Sequence, residues 1–226
     1  MDRPLPRERR AFTLVELLVV ISVISVLIAL LLPALGKARD SSRVVACMAR
    51  MRTLGTMTAF YADANRDFMP RSMHSAAGSH SAPWGYAFFE YFTHEVFTSE
   101  DAAWHAVLNT HYRCPFDKRT ERWSYGYNVY YELTTDETLG RTWRKFSQVP
   151  NPARTVLFGE LVMNSVADHA MAHFWSQYQA TPEIDASRHR GRTGVEYLDG
   201  HAESQSFAQT FEPVSHTDRW NPAVAR

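Results

Sequence analysis

At 226 residues the chain has room for one globular domain with an accessory segment, or for two small domains. Its 24 basic residues balance 24 acidic ones, which leaves no charge footprint for a nucleic-acid or acidic-surface partner. Two cysteines, Cys47 and Cys114, are too few for a disulfide-dense scaffold, and 13% aromatic residues, concentrated after residue 84, point to an ordered core.

The first element is an apolar run over residues 12–32, in which Glu16 is the only charge. As a helix it would span roughly 31 Å, close to the hydrocarbon thickness of a bilayer. Sixteen of its positions are Phe, Leu, Ile or Val. Their summed insertion free energy, on the order of −5 to −10 kcal/mol, outweighs the roughly 3 kcal/mol for one acid. Arg3, Arg7, Arg9 and Arg10 in the leader favour a cytoplasmic N-terminus, which sends the rest of the chain across the membrane. A removable secretory signal, cut near Ala34-Leu35-Gly36, and a plain uncleaved anchor are the competing readings.

The octapeptide Arg-Arg-Ala-Phe-Thr-Leu-Val-Glu ahead of this run resembles the signal of type IV prepilins and type II secretion pseudopilins. The resemblance implies cleavage by a prepilin peptidase between Ala11 and Phe12 and N-methylation of Phe12. Ala11 stands where that family usually has Gly. The resemblance also assigns Glu16 a partner, the new α-amino group of Phe12 on a neighbouring subunit, which would set register in a helical fibre. Simple snorkelling of Glu16 to the interface is the alternative. Pro33 falls where such helices commonly carry a proline, and it favours a kink or local melting.

After Pro33 the pattern predicts that the helix resumes over 34–61. Cys47, Met51, Leu54, Thr58 and Tyr61 recur at spacings of four and three and form one mostly apolar stripe. Asp63, Asn65 and Asp67 mimic the start of a calcium loop, but Phe68 replaces the required glycine and His74 the bidentate Glu, so a polar helix exit is expected. Residues 71–83 read as a small-residue loop, and 84–108 as one or two aromatic-rich helices, one of them over 100–109. Strands are expected at 124–131, 155–160, 194–198 and 201–207.

The later motifs are Cys114-Pro-Phe-Asp117, Tyr125-Gly-Tyr-Asn128, and His189 followed after nine residues by Asp199-Gly200. Together with Cys47 they resemble pilin-like proteins abundant in planctomycete-type bacteria that carry an H-X9-DG signature. The segment reads as a hairpin that brings His189 near Tyr197 or Asp199, with Asp199-Gly200 as a tight turn. A His189–Asp199 hydrogen bond then fixes a turn; a general-base role lacks a nucleophile in a recognisable context. His169 and His173, with Asp168 or His201, have zinc-compatible spacing, but one such pair is expected by chance among ten histidines, so no metal and no cofactor are assigned. Trp84, Trp104, Trp123, Trp143 and Trp175 would form a sugar platform only if they shared a surface. Cys47 and Cys114 face the oxidising side in this topology. A bridge between them would close a loop of about 67 residues and contribute about 4 kcal/mol, with buried free thiols as the alternative.

The expected architecture is α+β and pilin-like, a long N-terminal helix packed on a globular head with an antiparallel sheet. Residues 1–11 form a leader, 12–33 a transmembrane and assembly helix, 34–66 its amphipathic continuation, and 67–226 the periplasmic or extracellular head. The expected function is a non-enzymatic pilin or pseudopilin subunit, anchored once in the inner membrane, with prepilin peptidase and other pilin subunits as partners. The alternative is an extracytoplasmic binding or enzymatic module that uses the helix only as a tether.

Overall fold

The computed structural model describes residues 13–138 and 140–226. The expected cleavage pair, Ala11 and Phe12, lies outside them. The chain forms two compact units, residues 1–42 and 43–226. A single helix, α1 (Leu14–Ala64), supplies the described part of the first and the opening of the second.

In the first unit α1 carries no charge from Leu17 to Leu35, and its large side chains from Leu14 to Leu35 are exposed on every side. It is long and apolar enough to cross a membrane. Its two serines do not break that character. Ser22 Oγ donates to the Val19 carbonyl at 2.8 Å and Ser25 Oγ to the Ile21 carbonyl at 2.7 Å, so neither hydroxyl needs water. The helix continues through Pro33 without the melted turn that was one of the two expectations there. A proline costs the helix one backbone donor, and the residues on both sides are strong helix formers.

In the second unit α1 changes from all-round apolar to one-sided. Cys47, Met48, Met51, Leu54, Gly55, Thr58 and Ala62 are buried, while Tyr61 lies at the edge of the stripe. The helix ends where polar residues can take left-handed backbone: Arg66 and Asp67 have φ of 57° and 74°, and the Asp67 amide bonds to the Ala62 carbonyl at 2.7 Å. The Asp67 carboxylate accepts from Ser147 Oγ at 2.5 Å, so it serves the loop.

The aromatic segment forms α2 (Trp84–Thr93) and α3 (Ala102–His111). Asp101 starts α3 by accepting from the amides of Ala103 and Trp104 at 2.9 and 3.1 Å. Trp84, Tyr112 and Trp123 meet with ring centroids 4.8–5.5 Å apart, a spacing at which aromatic pairs attract. All five tryptophans considered as a sugar platform are buried, so they serve the core.

The head sheet is built from β1 (Tyr125–Asn128), β2 (Val156–Glu160), β3 (His169–Ala170), β4 (Thr193–Tyr197) and β5 (Ala202–Gln205). Their order is β3-β1-β2-β4-β5. Every pairing is antiparallel except β1 with the short β3, which is parallel. The central strands β2 and β4 are buried at every position, which explains why their sequences do not alternate. A second sheet pairs β6 (Phe211–Glu212) with β7 (Thr217–Asp218). The protein is thus α+β, a long N-terminal apolar helix leading into a head with a mostly antiparallel sheet.

Helix and sheet meet closely at Gly55. A Cβ there would lie 1.5 Å from Glu196 Oε1, so only glycine admits the carboxyl. Glu196 is fully buried on β4, and neither carboxyl oxygen has a hydrogen-bond partner among the described residues. Burial, reinforced by Asp199, holds its pKa well above the usual 4.5. The folded state therefore binds a proton that the unfolded state releases above pH 4.5, and stability falls as pH rises. Glu196→Gln keeps the shape without the ionisation. It is expected to raise stability at pH 8, with an advantage that grows by up to about 1.4 kcal/mol per pH unit above the ordinary carboxyl value. Melting of the detergent-solubilised chain at pH 5 and pH 8 checks this; equal melting of both forms at pH 8 would contradict it.

Candidate functional site

Two places concentrate polar chemistry where it is costly. The first is the start of α1. Thr13 and Glu16 close a reciprocal cap: the Thr13 amide and hydroxyl donate to Glu16 Oε2 at 2.9 and 2.7 Å, and the Glu16 amide donates to Thr13 Oγ1 at 3.2 Å. This is the T-x-x-E capping box, which satisfies amides that a helix start leaves without partners. The sequence carries that signal openly, yet the membrane setting directs attention to the charge alone. Glu16 thus has a role inside its own chain, and its carboxylate remains exposed.

The second is a buried polar knot in the head. It gathers Cys47 from α1, Cys114 from the turn after α3, Tyr125 from β1, Glu160 from the end of β2 and His189 from the turn before β4. The Cys114-Pro-Phe-Asp117 turn is closed by the Asp117 amide bonding to the Cys114 carbonyl at 2.8 Å. Cys47 Sγ lies 3.2 Å from both Tyr125 Oη and Glu160 Oε1. Cys114 Sγ lies 3.7 Å from His189 Nε2, and that nitrogen lies 2.9 Å from Glu160 Oε2. The Gly194 amide donates to Glu160 Oε2 at 2.7 Å. Cys47, Cys114, Glu160 and His189 are all buried, and their ligating atoms lie within 4.8 Å of one another.

Charge compensation surrounds this knot. Arg188 Nη1 sits 3.7 Å from Glu160 and 3.8 Å from Asp117, while its Nε donates to Asp185 at 3.2 Å. Arg119 forks onto Asp117 at 2.6–3.1 Å, and Ser124 Oγ donates to the same carboxylate at 2.7 Å. Burial opposes the Asp117 charge, but Arg119 and Ser124 prevail and hold it at about 2. Burial also opposes charge on His189, where Cys114 and Glu160 overcome it and raise the imidazole to about 9. Glu160 shifts down in step, against its burial, because His189 and Arg188 face it. Burial pushes the Cys47 thiol well up. For Cys114 burial acts the same way, but hydrogen bonding to Cys47 and His189 outweighs it and the thiol shifts down.

The residues singled out from sequence fare differently. Cys47 and Cys114 stand together as two free thiols rather than a bridge. His189 does not reach Asp199: it pairs with Glu160, and Asp199 bonds His201 Nδ1 at 2.5 Å. The expected hairpin fails because His189 lies in a turn that leads directly into β4, its amide bonding to the Arg192 carbonyl at 3.0 Å. Arg190 and Gly191 turn the chain at φ of 59° and 85°, and β4 takes its antiparallel partners from β2 and β5. Asp199-Gly200 does form a tight turn, joining β4 to β5, with Gly200 at φ 89°. His169 bonds its neighbour Asp168 at 2.9 Å, and its ring lies 5.5 Å from that of His74. Asn128 of the Tyr-Gly-Tyr-Asn motif ties strand to C-terminus, donating to the carbonyls of Val156 and Trp220 at 2.8 and 2.7 Å. Glu160 and Arg188 escaped the sequence reading. The signal for Glu160 was a carboxylate closing an otherwise apolar strand run.

A long apolar N-terminal helix together with an α+β head whose sheet is mostly antiparallel is a pilin-like arrangement. Residues 6–32 match the model of the prokaryotic N-terminal methylation motif. The N-terminal segment is accordingly a type IV pilin-like signal, of the kind found on precursors processed by prepilin peptidase. Comparison with curated proteins and with solved structures found no match.

Proposed function

We propose that the chain is a pilin-like structural subunit. A prepilin peptidase cuts it between Ala11 and Phe12 and methylates the new N-terminus. The apolar part of α1 then holds the subunit in the inner membrane, with the head on the periplasmic side, and carries it into a type IV pilus or type II secretion pseudopilus beside other pilin subunits. The observation that carries this reading is the methylation-motif match over residues 6–32 on a helix whose apolar side chains are exposed all round. A helix of that kind needs lipid or other helices around it. Assembly through α1 would replace its lipid contacts by helix contacts, with Glu16 meeting the Phe12 amine of a neighbour. The role is structural and non-catalytic.

Mass spectrometry of the mature N-terminus tests it. The expected species begins with N-methyl-phenylalanine at residue 12 and reverts to the full-length precursor in cells lacking the peptidase. Material that keeps Met1, or that starts after Gly36, would overturn the reading.

A further inference from the structure

We infer that Cys47, Cys114, Glu160 and His189 form a closed site for a zinc-class divalent cation in the head. Four donors from four separate segments converge there, and all four residues are at most 3% exposed. In a tetrahedral zinc site with bonds of about 2.0–2.3 Å, neighbouring ligand atoms stand about 3.3–3.8 Å apart. Cys47 Sγ lies 3.2 Å from Glu160 Oε1, His189 Nε2 lies 2.9 Å from Glu160 Oε2 and Cys114 Sγ lies 3.7 Å from His189 Nε2; with one ligand atom taken from each residue, all four lie within 4.8 Å of one another. Small side-chain movements bring such a set onto one ion. Two sulfurs favour zinc over calcium or magnesium, which take hard oxygen ligands.

The surroundings are built for ligands. Tyr125 Oη sits on the Cys47 sulfur and the Gly194 amide on a Glu160 oxygen, so two of the four ligands are oriented from behind. Binding releases the two thiol protons and the proton shared by His189 and Glu160. Two thiolates and one carboxylate carry −3 against the cation's +2, and the remaining negative charge faces Arg188, 3.7 Å from Glu160, which also serves Asp117 and Asp185. With every ligand buried there is no open position for a substrate, which makes the site structural. It would fasten α1, the turn after α3, β2 and the turn before β4 at one point, and it stands whether or not fibres form.

The test uses the full chain, purified in detergent through a tag without histidines, under reducing conditions. Elemental analysis is expected to find about one zinc per chain, falling to background in the Cys47→Ser/Cys114→Ser double variant. If that variant does not fold, cobalt(II) exchange into the wild-type chain decides. Thiolate-to-cobalt charge transfer in the near ultraviolet, with the strong visible bands of tetrahedral cobalt, supports the site. A wild-type chain that holds no zinc and gives no such spectrum with added cobalt overturns it, as does non-reducing peptide mapping that links residues 47 and 114.

Discussion

Replacing Glu16 with Gln is expected to leave the chain processed and inserted while its recovery in fibres falls at least tenfold. Gln is chosen because it can close the capping box with Thr13 as Glu does, so the start of α1 keeps its cap. Only the charge is lost. A carboxylate in apolar surroundings is costly without a partner, and the proposed partner is the ammonium of Phe12 on the adjoining subunit. Glu16→Ala removes cap and charge together and cannot tell them apart. Immunoblots of sheared fibre fractions against membrane fractions give the readout. Wild-type recovery of the Gln form would reduce Glu16 to a local helix cap.

Arg188→Met is expected to destabilise the head by about 3–5 kcal/mol, the range found when one member of a buried ion pair is removed. The guanidinium is 3% exposed and faces Glu160, Asp117 and Asp185, and it also donates to the carbonyls of Ser124 and Leu161. Met fills much of the volume but leaves Glu160 leaning on His189 alone for its positive charge. Denaturant unfolding followed by tryptophan fluorescence measures the loss, since the core tryptophans report the transition. A change below about 1 kcal/mol, the worth of an exposed pair, would show that the knot is not electrostatically held by Arg188.

The long helix and the main strands were legible because their patterns are local. An uninterrupted apolar run, a stripe from Cys47 to Thr58 and four short apolar segments each announce themselves within a dozen residues. The methylation motif matched over residues 6–32 was legible for the same reason, because it lies in one short stretch. The buried knot was legible only in pieces. Cys47, Cys114, Tyr125 and His189 each stood in a noted motif, but they lie up to 142 positions apart in numbering, and only sheet order brings them together. His189 was assigned to Asp199 because the two are close in sequence. In the fold β2 lies between β1 and β4, and it carries Glu160 to the imidazole instead. The cysteine pair was sought as a bridge, whereas the head adds a carboxylate and an imidazole and makes a four-donor cluster. Strands β3, β6 and β7 have two residues each, too few to show any period.

The closeness of α1 to the sheet at Gly55 has a mechanical consequence. Traction on the head passes into the helix through a seam in which the buried Glu196 side chain is lodged against a residue without a side chain. Sliding the helix by a turn would bring Met51 or Thr58, which share its buried face, against that carboxyl, so the seam resists shear by steric interlock rather than by adhesion alone.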